Sequence, residues 1–262
     1  APLPAAPAGT SPALPPGGER QARRRMRSFD PHAYEHLHDS PAADATSRLS
    51  PYLHFGCLSA TELAHHATRT ATAGAQALVR QLAWRDFHHQ VLAARPDAAH
   101  ADYRPRPANW HRDEDELQAW RQGRTGYPIV DAGMRQLLHE GWMHNRARLL
   151  TASFLTKTLR HHWREGAAHF LSLLVDGDLA NNQLNWQWIA GTGTDTRPGR
   201  VLNPLRQGAA HDPDGAYVRR WLPELAHLAG PAVHRPWTAD PPPHGYPAPL
   251  VAPQDLRARM RP

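Results

Sequence analysis

Between residues 176 and 195 the chain reads DGDLANNQLNWQWIAGTGTD, which places three acids, three asparagines and two indoles in one run, two of the acids at its start. Gly177 interrupts the helical pattern before it, so Asp176 and Asp178 fall on an elbow where they can face a ligand. A carboxylate only accepts hydrogen bonds and therefore suits a ligand carrying N–H or O–H groups. The plainer reading is that these acids cap the helix that follows. Two acids with no further acid or histidine close by in sequence are a poor ligand set, and no metal is expected. GTGTDT (191–196) lacks the preceding strand and the third glycine of a dinucleotide fingerprint. The adjacent pairs His65/His66, His88/His89 and His161/His162 would point about 100° apart on a helix, so neither member chelates with the other and all are read as solvated. Cys57 has no nucleophile context and is read as packing.

Helices must position these groups. LSATELAHHA (58–67) opens with Ser59 and Glu62 at capping-box spacing. Leu78, Leu82, Phe87 and Val91 recur at near-helical spacing within 75–94. The segment 131–141 ends on Gly141, and helical periodicity continues through 145–160 and 164–177. Alternating five-residue runs are missing, so the expected class is all-α. Residues 1–28 are rich in Pro and Ala and are expected to be a flexible linker remnant; 29–230 form the helical body, and 231–262 a Pro-rich, irregular tail.

The 262 residues, 40% hydrophobic with nine Trp, suffice for a substantial core. A formal charge of +6 and a pI near 10.1 point to a polyanionic partner, most commonly nucleic acid. One cysteine excludes an internal disulfide and argues for a reducing, cytoplasmic compartment. No run approaches the roughly 20 apolar residues of a membrane span, and the first residues lack the order of a signal peptide.

Six blocks in order carry a family resemblance: TSRLSPYLHFG (46–56), QLAWRDFHHQ (81–90), TGYPIVDAGMRQLLHEGWMHNRARLLTASFLTK (125–157), WREG (163–166), the 176–195 run and RVLNP (200–204). Together they resemble the flavin-binding helical domain of the DNA photolyase and cryptochrome family, and WMHN resembles the cyclobutane pyrimidine dimer branch. The resemblance implies an all-α domain holding FAD and repairing pyrimidine dimers in DNA by light-driven electron transfer from the reduced cofactor. By match, Tyr34 and Thr46, Ser47, Arg48, Leu49 and Ser50 would bind phosphates and ribitol. Arg85, Asn145, Arg148, Asp176 and Asp178 would line the flavin ring, and Asn182 would face its N5. Trp186, Trp163 and Trp110 match a three-tryptophan relay to the surface. Trp84 and Trp188, with Asn145 and Gln81, match positions against the flipped-out dimer, and an apolar indole wall is what an extruded pyrimidine pair needs. Arg146 and Arg200 match phosphate-facing positions on the DNA side.

Two departures from the pattern matter. Gln81 stands where well-studied dimer photolyases carry a glutamate; an amide hydrogen-bonds but neither ionises nor carries a transferable proton. The α/β antenna domain that precedes this region in the family has no counterpart here, so activity without an antenna chromophore, by a monomer, is expected. The alternatives are a cryptochrome-like FAD photoreceptor that repairs nothing, which Gln81 favours, and an inactive fragment. Asn182 and WMHN favour repair.

Overall fold

Short polar caps and long apolar stripes divide the chain into helices that pack around two separate cores. The computed structural model describes residues 9–107, 109–197 and 199–260. It is all helix and connecting turns, with no strand among the described residues. The first five helices are α1 (Glu19–Ser28), α2 (Pro31–Leu37), α3 (Ser50–His54), α4 (Ala60–Thr68) and α5 (Ala73–Ala94). Asp30 caps α2 by accepting from His32 N at 2.9 Å, and Thr72 caps α5 by accepting from Ala75 N at 3.1 Å. Ser59 caps α4, but Glu62 does not close the expected capping box; its carboxylate pairs with Arg23 of α1. The α2 and α4 helices pack on α5 over a core that includes Tyr34, Leu49, Tyr52, Leu63, Leu78 and Leu82.

The larger second core is built by α6 (Glu114–Arg121), α7 (Pro128–Glu140), α8 (Asn145–Ser153), α9 (Trp163–Leu173), α10 (Leu179–Ala190), α11 (Pro204–His211), α12 (Ala216–Trp221) and α13 (Leu256–Arg259). Trp120, Tyr127, Met143, Phe154, Trp163 and Phe170 fill it. Gly141 ends α7 in the left-handed conformation (φ 59°), as its place in the sequence predicts. The 145–160 periodicity does not give one helix: α8 stops at Ser153 and a π turn, Phe154–Thr158, continues the chain. The α9 helix likewise ends at Leu173, before the elbow.

The first segment of the chain departs from expectation, and the last one docks onto the body. Of the expected linker, residues 1–8 lie outside the described residues, but 19–28 form α1, with Ala22 and Met26 buried. The Pro-rich stretch before it is fastened as well: Ala13 N donates to His139 O at 2.9 Å and the Tyr52 hydroxyl to Pro16 O at 2.7 Å. The C-terminal stretch is low in regular structure yet anchored, because the Tyr246 hydroxyl donates to buried Asp131 and Val251 and Leu256 join the core. Helix periodicity does not detect segments that dock through backbone carbonyls and isolated side chains. No helix among the described residues is long and apolar enough to cross a membrane.

Candidate functional site

The two cores face each other across a cavity of about 510 Å³, a size that suits a cofactor or other small-molecule ligand. Leu63, Leu78 and Leu82 come to it from the first core, and Met143, Phe170, Trp186 and Ile189 from the second. One face of α5 supplies Leu78, Gln81, Arg85 and His88, spaced by three or four residues so that all line it. The facing stripe of α10 supplies Asn181, Asn182, Asn185 and Ile189, while α8 contributes Asn145, Arg148 and Leu149.

Thr46, Ser47 and Ser50 offer hydroxyls to the cavity beside Arg48. Arg48 adopts φ 50°, a left-handed conformation that costs a non-glycine residue energy. Its guanidinium reaches Asp44 and Glu140 and lies 4.1 Å from the centre of the Trp142 ring, which holds this turn in place. The α1 helix braces the same loop, since Arg25 donates to the carbonyls of Ser47 at 2.9 Å and Thr46 at 3.2 Å. Thr46 Oγ1 is buried with no hydrogen-bond partner, an atom that a ligand oxygen would satisfy. Leu49 differs from expectation. Its side chain is 1% exposed within the first core and does not line the cavity.

A second set of lining residues carries paired charges. Arg148 donates to both oxygens of Asp176, at 3.0 and 2.8 Å, and its Nε to Met143 O at 2.8 Å. Asp178 caps α10, its Oδ1 accepting from Asn181 N at 2.8 Å and from Asn181 Nδ2 at 2.9 Å, so the capping reading and the ligand reading hold together. Its other oxygen lies 2.8 Å from His89 Nε2 and 3.9 Å from Arg85. Burial works against the Asp178 charge, but the Asn181 hydrogen bonds with His89 and Arg85 outweigh it and hold the carboxyl below its ordinary range. Asn182 Nδ2 donates to Ala167 O and Gln183 Oε1, both at 3.0 Å, so what the amide still offers a ligand is its Oδ1 acceptor.

His88 and His161 are not solvated as expected; they are 5% and 2% exposed. His88 donates from Nδ1 to Asn181 Oδ1 at 3.0 Å, because Asn181 turns its Nδ2 to Asp178. Burial pushes the His88 imidazole below its ordinary range, against the opposing pull of Asn181 and Asp178. The adjacency argument excluded chelation within a pair but carried no information on which helix face each ring occupies. His88, Asn181 and Trp142 are thus site residues that the sequence reading left without a role. Trp142 stood inside the WMHN block, and the Asn181–Asn182 doublet was the one available signal for Asn181.

Trp84, half exposed, and Trp188 stand at the cavity with Gln81 and Asn145. Arg200 covers the Trp188 ring at 4.9 Å. Arg146 is committed to an ion pair with Asp39 at 2.6 Å. Of the three relay tryptophans, Trp186 alone lines the cavity, edge-on to Phe170 at 4.9 Å and to Trp120 at 6.0 Å. Trp163 begins α9, fully buried, its Nε1 donating to Asp102 at 2.7 Å. Gly166, one turn on, receives the edge of Trp186; a Cβ there would sit 2.1 Å from Trp186 Cη2. Trp110 packs on His162 at 4.9 Å, and His162 on Trp163 at 5.8 Å.

A cavity lined by hydroxyls beside an arginine, by a second set of carboxylates, amides and arginines, and by apolar side chains fits a dinucleotide, which combines a diphosphate with a flat heterocycle. Comparisons with known proteins agree. The family described as the FAD binding domain of DNA photolyase matches residues 78–261. A deoxyribodipyrimidine photo-lyase of Streptomyces griseus is 62% identical over 95% of this chain and 56% of its own length, and that of Escherichia coli is 41% identical over 93% and 55%. The chain thus spans about half the length of the curated relatives it matches. Among solved structures, a bacterial class III photolyase from Agrobacterium tumefaciens superposes with a TM-score of 0.87 at 38% identity, covering 93% of this chain and 54% of that one. A Synechocystis cryptochrome gives 0.88 at 34% identity, over 95% and 56%.

Proposed function

Given that the chain belongs to the family of FAD-binding domains of DNA photolyases, we propose that it repairs cyclobutane pyrimidine dimers in DNA in a light-driven reaction. One observation carries the reading. A single cavity places Gln81, Trp84, Asn145 and Trp188 together with the Arg148–Asp176 pair, Asp178 and Asn182.

FAD, when bound, supplies the light absorption and the electron donor. Thr46, Ser47, Arg48 and Ser50 would hold its diphosphate and ribitol, with Tyr34 beside them. Asp176 and Asp178 would hold the ring system by accepting from its N–H groups, while Arg85 and Arg148 would donate to its carbonyl oxygens and offset the carboxylate charge. Asn182 would present its Oδ1 to the ring without itself changing charge. Trp84 and Trp188 give the dimer an apolar wall and exclude water from it. Gln81 would hydrogen-bond the lesion but cannot transfer a proton as an acid would. Trp186, Trp163 and Trp110 would conduct an electron between cavity and surface. Arg200 and the basic balance of the chain would draw in the phosphate backbone; Arg146 would first have to leave Asp39.

The test is a time course on the purified chain supplied with FAD, a reductant and a thymine-dimer oligonucleotide under blue light. Recovery of thymine absorbance is the expected outcome. Light-dependent change in the flavin bands with no thymine recovery would replace repair with photoreception, a role equally compatible with the cryptochrome-like fold.

A further inference from the structure

Away from the cavity, four side chains from two distant segments converge at the start of α6. His111, Asp113 and Glu116 each offer one donor atom, all within 4.8 Å of one another. The fourth is His161, in the turn before α9, with Nε2 3.5 Å from Glu116 Oε2. That same oxygen lies 3.8 Å from His111 Nε2, and His111 Nε2 lies 4.0 Å from Asp113 Oδ2.

The cluster is aimed inward. The His161 side chain is 3% exposed, yet its Nε2 has no hydrogen-bond partner, and neither has Glu116 Oε2. An unsatisfied buried polar atom is costly, and two that face each other mark a place where something is to be bound between them. The backbone is arranged to produce this convergence. His111 N donates to Arg160 O at 2.7 Å, and Arg160 adopts φ 61° at the turn that leads into His161. Asp113 spends Oδ1 on capping α6 through Glu116 N at 3.0 Å, which leaves Oδ2 for a ligand.

We propose that His111, Asp113, Glu116 and His161 form a binding site for a first-row divalent transition ion, with Zn²⁺ as the best match. Two imidazoles and two carboxylates are borderline donors that suit zinc and give an electrically neutral site; calcium and magnesium prefer all-oxygen shells. Tetrahedral coordination at about 2.0–2.2 Å sets donor atoms roughly 3.3–3.6 Å apart. The pair at 3.5 Å already meets this, and rotation of the half-exposed His111 and Asp113 brings in the rest. The ion would tie the start of α6 to the start of α9. It would thereby fix the segment that carries Trp110, whose ring packs on His162, the neighbour of His161. The sequence reading expected no metal because it weighed adjacent histidines and adjacent acids; this set forms only when the two segments meet.

The test uses the full chain loaded with FAD and stripped by a chelator, then titrated with Co²⁺ and back-titrated with Zn²⁺. One equivalent of Co²⁺ should develop the visible absorption of a tetrahedral site and lose it to Zn²⁺, and Zn²⁺ should raise the melting temperature. His111→Ala, at a half-exposed surface position, should weaken binding at least about tenfold, and Glu116→Gln should do the same, with flavin content unchanged in both. The proposal is overturned by the absence of stoichiometric uptake, or by uptake that neither substitution weakens. A His161–Glu116 ion pair that persists after chelation, with no Co²⁺ signal on titration, would equally overturn it and would identify the cluster as a metal-free structural contact.

Discussion

Arg148 reaches both oxygens of Asp176 through one terminal nitrogen while its Nε is tied to the carbonyl of Met143. The carboxylate is 3% exposed and the guanidinium 24%, so the acid depends on its partner far more than the reverse. Arg148→Ala leaves a buried charge unpaired at a cost of about 3 kcal/mol. The expected outcome is purification largely without flavin and a lower melting temperature, whereas Asp176→Asn, which removes the charge and one of the two acceptor oxygens, should lose flavin with a smaller effect on melting. Flavin-to-protein absorbance ratios and thermal melts check both.

Gly166 is where α9 lets Trp186 come close. A methyl group in place of its hydrogen would overlap the indole ring, and such overpacking costs about 1–3 kcal/mol. Gly166→Ala should therefore destabilise the chain and displace Trp186. Photoreduction of bound oxidised FAD, followed after a light flash, should slow more than it does in a variant of equal stability altered in the distant Tyr217 region of the core.

The clamp from α1 yields a third expectation. Arg25→Ala removes two hydrogen bonds from a charged donor to the Thr46–Ser47 carbonyls, each worth about 1.5–3 kcal/mol at most. Because Arg25 is on the periphery of the fold, the loss should show as FAD affinity weakened about tenfold or more, with little change in the far-ultraviolet circular dichroism. Flavin fluorescence titration measures it. An unchanged affinity would mean that the loop is ordered without α1.

Acid should unfold the chain through its buried imidazoles. Burial pushes His144 and His169 down to about 4 from their ordinary 6.5. The unfolded chain therefore binds protons at a pH where the folded chain does not. Stability is full above the unfolded value, falls as the pH drops from about 6.5 towards 4, and loses nothing further to these groups below that. The loss is about 2–3 kcal/mol for His144, which is 1% exposed, and less for the more open His169. Asp178, held low, adds a loss only when the pH falls through its depressed value. Urea melts at a series of pH values should show this slope, and His144→Asn should flatten it.

The sequence made the helical class and most of the cavity legible for different reasons. Apolar spacing marked α5 and α8, and Gly141 the end of α7, although of the α5 stripe only Leu78 and Leu82 are buried. The site residues Arg85, Arg148, Asp176, Asp178 and Asn182 were reached through matched blocks, and all of them line one cavity. A block match carries every residue of a turn together and does not tell that the Leu49 side chain, alone among residues 46–50, turns into the first core. His88 and Asn181 escaped because their value lies in a hydrogen bond across two helices, which no local pattern encodes. The order of the first segment was not legible because composition reports whether a segment can fold alone, whereas both ends are held by docking onto Tyr52, His139 and Asp131.

The cavity has one wall from each hydrophobic core, and this makes its occupant a structural layer as well as a reagent. With the space filled, α5 and α10 are joined through the ligand as well as through their direct packing, and the two halves should melt as one unit. Emptied, each half keeps its own core but loses a shared boundary, and unfolding should broaden or split into two transitions. In this chain the sharpness of a melting curve is thus a gauge of how much of the protein is loaded.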